Sequence, residues 1–331
     1  MQDGKLLTIV VPVYKVEPYI DKCLSSLILE DSVLMDALEV IIVNDGTPDN
    51  SAEMSREYVK RYPRTFRQID KENGGHGSAW NVGLKEATGN YLLFLDSDDW
   101  LMNLDRLMQD LKACNADIVL SPYNIIFASE NRIKEIRHSV APRIVMPIVK
   151  SEWGIADQGL NRVYFWGVVY KTRILKPLAP LFAEEVMYDD AILTWVPLVY
   201  GRTFVAFDYV VYNYLLGRPG QSMSAARQRK GAVSYAKCFD QFEKVRSRID
   251  EQAVPSELLG CIDKSIEIYA GHVFSKMIYL PLKDALDKMA YLWEKYLVDI
   301  PDKSHLLKRY AVLPGVVFYY VEHLRRKIRR I

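Results

Sequence analysis

Short apolar runs recur along the first 121 residues at intervals of roughly 25 residues, and this recurrence limits the fold more than any other feature of the sequence. The runs are Leu6–Tyr14, Leu38–Val43, Phe66–Ile69, Tyr91–Leu95 and Asp117–Ser121. Segments between them, such as Pro18–Leu29, carry apolar residues at helical spacing. Because parallel neighbours need long, usually helical crossovers, the pattern predicts an α/β protein with a doubly wound, mostly parallel sheet.

Polar residues follow the ends of these predicted strands. Tyr14 ends the first run, Asp45 follows the second, a glycine-rich loop at Asn73 follows the third, and Asp96 follows the fourth. The carboxyl ends of parallel strands lie along one edge of a sheet, and open α/β sheets bind their ligands at that edge. The sequence therefore predicts one crevice lined by these residues.

The most acidic part of this edge is Asp96-Ser97-Asp98-Asp99. Three carboxylates so close together repel one another unless they share a cation, and oxygen ligands suit a hard ion such as Mg²⁺ or Mn²⁺. A solvated acidic turn remains open as an alternative. So does an N-cap for a helix that begins at Leu101, and this is the role expected for Asp99.

The remainder of the chain predicts a second half and a helical extension. Residues 123–149 alternate in a way typical of antiparallel strands, and Val205–Tyr214 predicts a strand pair. The signal after Ser224 is helical. We expect one domain over 1–225, with halves 1–121 and 122–225, and a helical C-terminal region over 226–331.

Composition and cysteine pattern indicate which partners and which cellular compartment to expect. A net charge of +1 gives no general attraction for nucleic acid, so no nucleic-acid partner is expected. The cysteines are scattered, no signal peptide is recognised at the start, and no apolar run reaches the ~18 residues needed to span a bilayer. These features favour a cytoplasmic protein.

Four motifs occur in order: Ile9–Tyr14 with Pro12, Val43–Thr47, Glu72–Gly75 and Leu95–Trp100. Together they resemble the family-two inverting glycosyltransferases of GT-A fold, over residues 5 to about 225. The resemblance implies a nucleotide-binding half and an acceptor-binding half. It also implies inverting transfer of a sugar from a nucleoside diphosphate to a hydroxyl of a glycan or lipid-linked acceptor. UDP is the nucleotide that the family commonly uses, and Mn²⁺ or Mg²⁺ is the expected cofactor.

The resemblance also assigns donor-binding residues. It places Asp45 at the nucleobase, although an Asp-Gly pair is equally typical of a plain turn. Asp98 is the first choice as metal ligand. Asp96 is expected near the ribose and as a second metal ligand. The other expected donor contacts are Pro12, Tyr14, Asn73, Gly74 and Ser97.

Two further assignments fall in the acceptor half. Asp190 matches the general base, with Asp189 where the family has Glu, but two acids at a helix start also suit the helix dipole. Arg218 matches a late-loop residue that reaches the diphosphate, and a surface turn is the competing interpretation.

The chain departs from the family pattern at three positions. Lys15 stands where Asn is common, the loop helix lacks an expected Arg, and His76 is unexpected. His76 could touch a phosphate, or its ring could be satisfied by backbone. Trp153 and Trp166 could stack on sugars or pack in a core.

The last residues form a separate feature. A helix over Val317–Ile331 would place Val317, Tyr320, Val321, Leu324, Ile328 and Ile331 on one face, with five cations from Arg325 to Arg330. Such a helix suits either an anionic membrane, consistent with a peripheral place at the inner membrane face, or docking on the protein.

The leading hypothesis is a metal-dependent transferase in surface polysaccharide biosynthesis. A non-catalytic nucleotide-sugar-binding or partner subunit remains an alternative. A sugar-phosphate nucleotidyltransferase is disfavoured, because Tyr14–Pro18 is not a basic glycine-rich loop.

Overall fold

The computed structural model describes residues 4–130, 132–138, 140, 142–148, 164–218, 228–252, 254, 256–299, 305–313 and 315–328. Within them the contacts define two compact units. The larger unit comprises Met1–Glu185 and Asp189–Gln221, and the smaller comprises Val186–Tyr188 and Ser222–Ile331. The domain boundary near residue 225 and the division into halves remain proposals.

The larger unit is built on a mostly parallel sheet. Its strands, in sequence order, are β1 (Leu7–Val13), β2 (Leu38–Asn44), β3 (Phe66–Asp70), β4 (Tyr91–Phe94), β6 (Ile118–Leu120), β9 (Met146–Pro147), β10 (Val168–Lys171) and β11 (Thr203–Ala206). Their spatial order is β3-β2-β1-β4-β10-β6-β11-β9. The first four are parallel, β10 is antiparallel to β4 and β6, and β11 is parallel to β6. The predicted α/β fold class with a mostly parallel sheet is confirmed.

A second, smaller sheet lies in the same unit. It contains β5 (Trp100–Leu101), β7 (Tyr123–Phe127), β8 (Arg132–Ile136) and β12 (Tyr212–Leu216), in the order β5-β12-β7-β8. The antiparallel pair β7–β8 was expected. The strand pair over Val205–Tyr214 was wrong, because β11 and β12 belong to different sheets and do not pair with each other.

The helices of the larger unit are α1 (Ile20–Ser25), α2 (Ser32–Ala37), α3 (Ser51–Arg61), α4 (His76–Glu86), α5 (Leu104–Ala113), α6 (Thr172–Leu175) and α7 (Val196–Tyr200). Helix α4 packs on β1 and β2. A Cβ at Gly83 would lie 2.1 Å from Val10 Cγ1, so only glycine allows this close approach. The contact brings the start of α4 to the carboxyl edge of the sheet.

Two helix boundaries differ from the prediction. The first helix covers only Ile20–Ser25, and the helix expected from Leu101 begins at Leu104. In the second case Trp100 and Leu101 pair with β12 instead. Apolar periodicity does not reveal such a long-range pairing.

The smaller unit is helical. Its helices are α8 (Gln228–Arg246), α9 (Ser256–Met277), α10 (Leu282–Leu292), α11 (His305–Val312) and α12 (Gly315–Ile328). Phe239, Phe274 and Phe318 are fully buried in it. Among the described residues, none of the helices combines the length and the apolar character needed to cross a bilayer.

Candidate active site

The carboxylate of Asp45, directly after β2, holds the glycine-rich loop. It accepts hydrogen bonds from Gly74 N (2.9 Å), Gly75 N (2.8 Å), Lys71 Nζ (2.6 Å) and Asn73 Nδ2 (3.1 Å). These four bonds use both oxygens twice, which fills a carboxylate's acceptor sites. The structure thus gives Asp45, Asn73 and Gly74 a shared role in shaping the loop that begins α4. Contact between Asp45 and a nucleobase remains a prediction.

The backbone of this loop favours glycine. Gly75 has φ +87°, a conformation that favours glycine. A Cβ at Gly74 would lie 2.6 Å from Ser78 Oγ. Sequence reasoning missed Lys71, whose ammonium group pairs with Asp45 and follows β3 directly.

The three acids after β4 come together as expected. One carboxylate oxygen from each of Asp96, Asp98 and Asp99 lies within 4.8 Å of the others. Arg218 Nε donates to Asp98 Oδ2, so the structure joins two residues that were assigned to the metal and the diphosphate. Ser97 is buried between the acids, and at the end of β1 Pro12 is buried while Tyr14 is exposed.

A divalent cation fits part of this cluster. The side-chain partners seen among the described residues engage Asp96 through Oδ1 and Asp98 through Oδ2, so the second oxygen of each acid is not used by these two contacts. Oxygen donors of this kind suit Mg²⁺ or Mn²⁺. Asp99 is less suitable, because both of its oxygens are already engaged.

The expected role of Asp99 as a helix cap is wrong. Its carboxylate accepts from Tyr212 Oη and Leu215 N, both at 2.7 Å, and the residue is buried. Burial, with the charges of Asp96 and Asp98, raises the pKa of Asp99 well above its ordinary value. Asp99 therefore fastens the acidic turn to β12, and α5 begins later, after Asn103.

His76, the first residue of α4, lies between two carboxylates. Its Nε2 is 2.9 Å from Asp96 Oδ1, and its Nδ1 is 3.0 Å and 3.1 Å from the oxygens of Asp189. Burial lowers the pKa of His76, but the two acids outweigh it and raise that pKa well above its ordinary value. His76 is thus bonded to side chains, in contrast to the backbone contact considered from sequence.

Asp190 is the second residue of a 3-10 helix, Asp189–Thr194, where an α-helix was expected. Within the described chain its carboxyl group accepts no hydrogen bond from another residue. Burial, with the charges of Asp189 and Asp96, raises its pKa to about 7, and His76 opposes this shift. A partly exposed carboxyl group with that pKa can accept a proton near neutral pH.

Tyr214 links the two acidic regions electrostatically. Burial raises the pKa of its phenol, and the charges of Asp99, Asp96, Asp98 and Asp190 raise it further. Asp190 therefore lies within electrostatic range of the same group as the acidic cluster after β4.

Trp166 packs against two other aromatic rings. Its ring stacks on Tyr214 at 4.3 Å between centroids and on Tyr164 at 5.3 Å. These two contacts favour packing over sugar binding. Trp153 lies outside the described residues.

Known proteins with similar sequences include a family of glycosyltransferases. The family model described as "Glycosyl transferase family 2" matches residues 8–175. The chain is 33% identical over 188 residues to "Uncharacterized glycosyltransferase EpsJ" of Bacillus subtilis, covering 56% of this chain and 53% of the relative. It is 28% identical over 235 residues to "Glycosyltransferase GlyA" of Streptococcus pneumoniae, covering 69% of this chain and 31% of the relative. The chain thus spans about half or less of the length of these relatives.

Two solved structures share the fold. One is S. aureus TarS 1–349 in complex with UDP-GlcNAc, with a TM-score of 0.53 and 20% identity, covering 88% of this chain and 91% of that one. The other is the mannosyltransferase PcManGT of Pyrobaculum calidifontis in complex with GDP-Man and Mn²⁺. Its TM-score is 0.50 at 16% identity, and the alignment covers 98% of this chain and 88% of the neighbour. At these identities the likeness concerns the fold alone.

Proposed function

The chain belongs to glycosyl transferase family 2, and from that premise we propose that it transfers a sugar from a nucleoside diphosphate, UDP in the first instance, to an acceptor hydroxyl with inversion. The observation that carries the proposal is that His76 contacts both Asp96, one of the acids after β4, and Asp189, which directly precedes Asp190. The acceptor is a glycan or lipid-linked glycan of a surface polysaccharide. A relative from Bacillus subtilis, "Minor teichoic acid biosynthesis protein GgaB", supports that class.

Asp190 is proposed as the general base. Its carboxylate takes the proton of the acceptor hydroxyl while the oxygen forms a bond to the anomeric carbon. The bond from that carbon to the phosphate oxygen breaks on the opposite side, and its electron pair leaves with the nucleoside diphosphate. The free carboxyl group of Asp190 and its pKa of about 7 support this role.

The donor is proposed to bind along the carboxyl edge of the sheet. Asp98, with Asp96, would hold Mn²⁺ or Mg²⁺, which when bound stabilises the charge that develops on the leaving diphosphate. Arg218 would exchange its contact with Asp98 for the phosphates, to which its guanidinium can donate two bonds. Tyr14 is exposed at the end of β1 and available to the nucleoside.

The proposal places the enzyme in the cytoplasm, at an anionic membrane surface that α12 contacts. Val316, Tyr320 and Leu324 are spaced by one helical turn on this helix and are 46%, 59% and 60% exposed. Phe318 is fully buried, so the helix both packs on the smaller unit and presents an apolar face. Glu322 is buried and accepts from Arg309 at 2.7 Å, so its charge is compensated.

The test is release of nucleoside diphosphate from UDP-GlcNAc, UDP-glucose, UDP-galactose and GDP-mannose in the presence of Mn²⁺. We expect release from at least one donor, and its loss in Asp98→Ala. Undiminished release in Asp98→Ala would refute the metal assignment. Tight donor binding without release for any acceptor would favour the alternative, a nucleotide-sugar-binding subunit.

A further inference from the structure

We propose that His76 is a positioning residue that joins the donor site to the segment carrying the general base. It holds Asp96 through one ring nitrogen and Asp189 through the other. This inference rests on the proposed function, because it assumes that Asp96 serves the donor and Asp190 the acceptor.

The geometry requires both nitrogens of the ring. Asp96 and Asp189 present carboxylate oxygens within 3.1 Å of Nε2 and Nδ1 respectively. Each ring nitrogen therefore has a carboxylate partner of its own, and one side chain makes both contacts. Asp189 is buried, so this contact is a large part of what compensates its charge.

The ring of His76 packs against the ring of Trp80. The two ring centroids are 4.1 Å apart, and Trp80 is fully buried against Phe94 and Phe182. The position of His76 is thus set by the packed interior of the larger unit.

The segment before Asp190 lies directly against the start of α4. Glu185 N donates to Gly74 O at 2.7 Å. A Cβ at Gly77 would lie 2.1 Å from Ala183 O and 2.8 Å from Asp189 Oδ2, so only glycine admits this approach. Because Asp190 follows Asp189 in the chain, fixing the Asp189 carboxylate restricts where Asp190 can lie.

Two conservative variants separate the two contacts. The side-chain nitrogen of Asn lies near the position of histidine Nδ1, so His76→Asn keeps the bond to Asp189 and loses the bond to Asp96. The longer side chain of Gln reaches the position of Nε2, so His76→Gln keeps Asp96 and loses Asp189. Each variant retains one partner, which limits the loss of folding stability.

The measurements are the Kd for UDP with Mn²⁺ by calorimetry and the kcat for release of UDP from the UDP-sugar that the wild-type protein uses. Loss of a hydrogen bond to a charged group corresponds to roughly a tenfold change. We expect His76→Asn to weaken UDP binding about tenfold at a nearly unchanged kcat. We expect His76→Gln to lower kcat about tenfold with little change in Kd, and Asp189→Asn to behave like His76→Gln.

His272→Ala is the matched control, since His272 is exposed on α9, and it should change neither quantity. Equal losses of binding and turnover in both His76 variants, or no loss in either, would overturn the positioning role while leaving the proposed function intact. A wild-type protein that binds UDP and releases it from no donor would overturn the proposed function, and the role of His76 with it.

Discussion

At the scale of single residues, Asp190 combines a proposed chemical role with a cost to folding. Replacing it by Asn removes the proposed proton acceptor and keeps nearly the same volume. We expect Asp190→Asn to lower kcat by about 10² to 10⁴, the usual contribution of general base catalysis. UDP binding should stay within about twofold, because its proposed contacts lie on other residues. Asp208→Asn is a suitable control, since Asp208 is exposed and pairs with surface arginines. Unchanged turnover in Asp190→Asn would remove Asp190 from the mechanism.

The raised pKa of Asp190 also sets a pH dependence, both of rate and of stability. The base works only when deprotonated, so kcat should rise with pH and level off above an inflexion near pH 7. The folded state, with the pKa raised from 3.8 to about 7, binds the proton more tightly than the unfolded state does. The free energy of unfolding therefore falls as the pH rises from about 4 to 7, because the carboxyl group of Asp190 ionises less readily in the folded state. Above pH 7 the whole of this loss is present. Asp190→Asn should raise the free energy of unfolding in urea, more at pH 8 than at pH 5. A pH-independent gain would show that the charge of Asp190 is not its cause.

At the scale of elements, α4 supports the loop that precedes Asp190 through one buried amide. Asn81 Oδ1 accepts from Leu181 N (2.8 Å) and Phe182 N (2.9 Å), and its Nδ2 donates to Phe182 O (3.0 Å). Asn81→Ala would remove the side-chain partner of Phe182 N and Phe182 O, at about 1–3 kcal/mol of unfolding free energy for each buried group left unsatisfied. Urea denaturation measures this loss. Lys85→Ala, at an exposed position of the same helix, should change stability by less than about 0.5 kcal/mol. A similar loss in both variants would place the effect in the helix itself and not in the amide contacts.

The elements also show how far sequence reasoning reaches. Strands β1, β2 and β4 were predicted nearly to the residue, because a strand buried on both faces is a continuous apolar run. The acids after β4 and the loop at Asn73 were located because parallel strands bring their carboxyl ends to one edge. The bond of Asp99 to Tyr212 and the bridge from His76 to Asp189 were missed, since each joins positions far apart in sequence. No local pattern encodes such a pair, and the only sequence signal was negative, an unexpected histidine in a glycine-rich loop.

At the scale of the whole molecule, the chain has an apolar face on the smaller unit that its own packing leaves exposed. Val312 at the end of α11 is 77% exposed, and Val316, Tyr320 and Leu324 are exposed on α12. In the sequence, five cations from Arg325 to Arg330 follow Leu324. Apolar residues that enter the boundary of a bilayer and cations that meet its headgroups reinforce each other, with about 1 kcal/mol from each cation near an anionic surface. An acceptor carried on a lipid would make such contact useful to the proposed reaction.

This surface gives a prediction that the full-length chain can test. The triple variant Val316→Ser, Tyr320→Ser, Leu324→Ser should bind vesicles of mixed phosphatidylglycerol and phosphatidylcholine much more weakly than the wild type in a sedimentation assay. Val33→Ser with Ile133→Ser, two equally exposed apolar positions on the larger unit, should bind as the wild type does. Binding should also fall with salt and on pure phosphatidylcholine, because the cations contribute only at a charged surface. Equal binding by the triple variant and the control would exclude the α12 face from membrane contact. In that case its exposed residues would have to be explained by a protein partner, and a change in oligomeric state between wild type and triple variant would detect a second copy of the chain in that role.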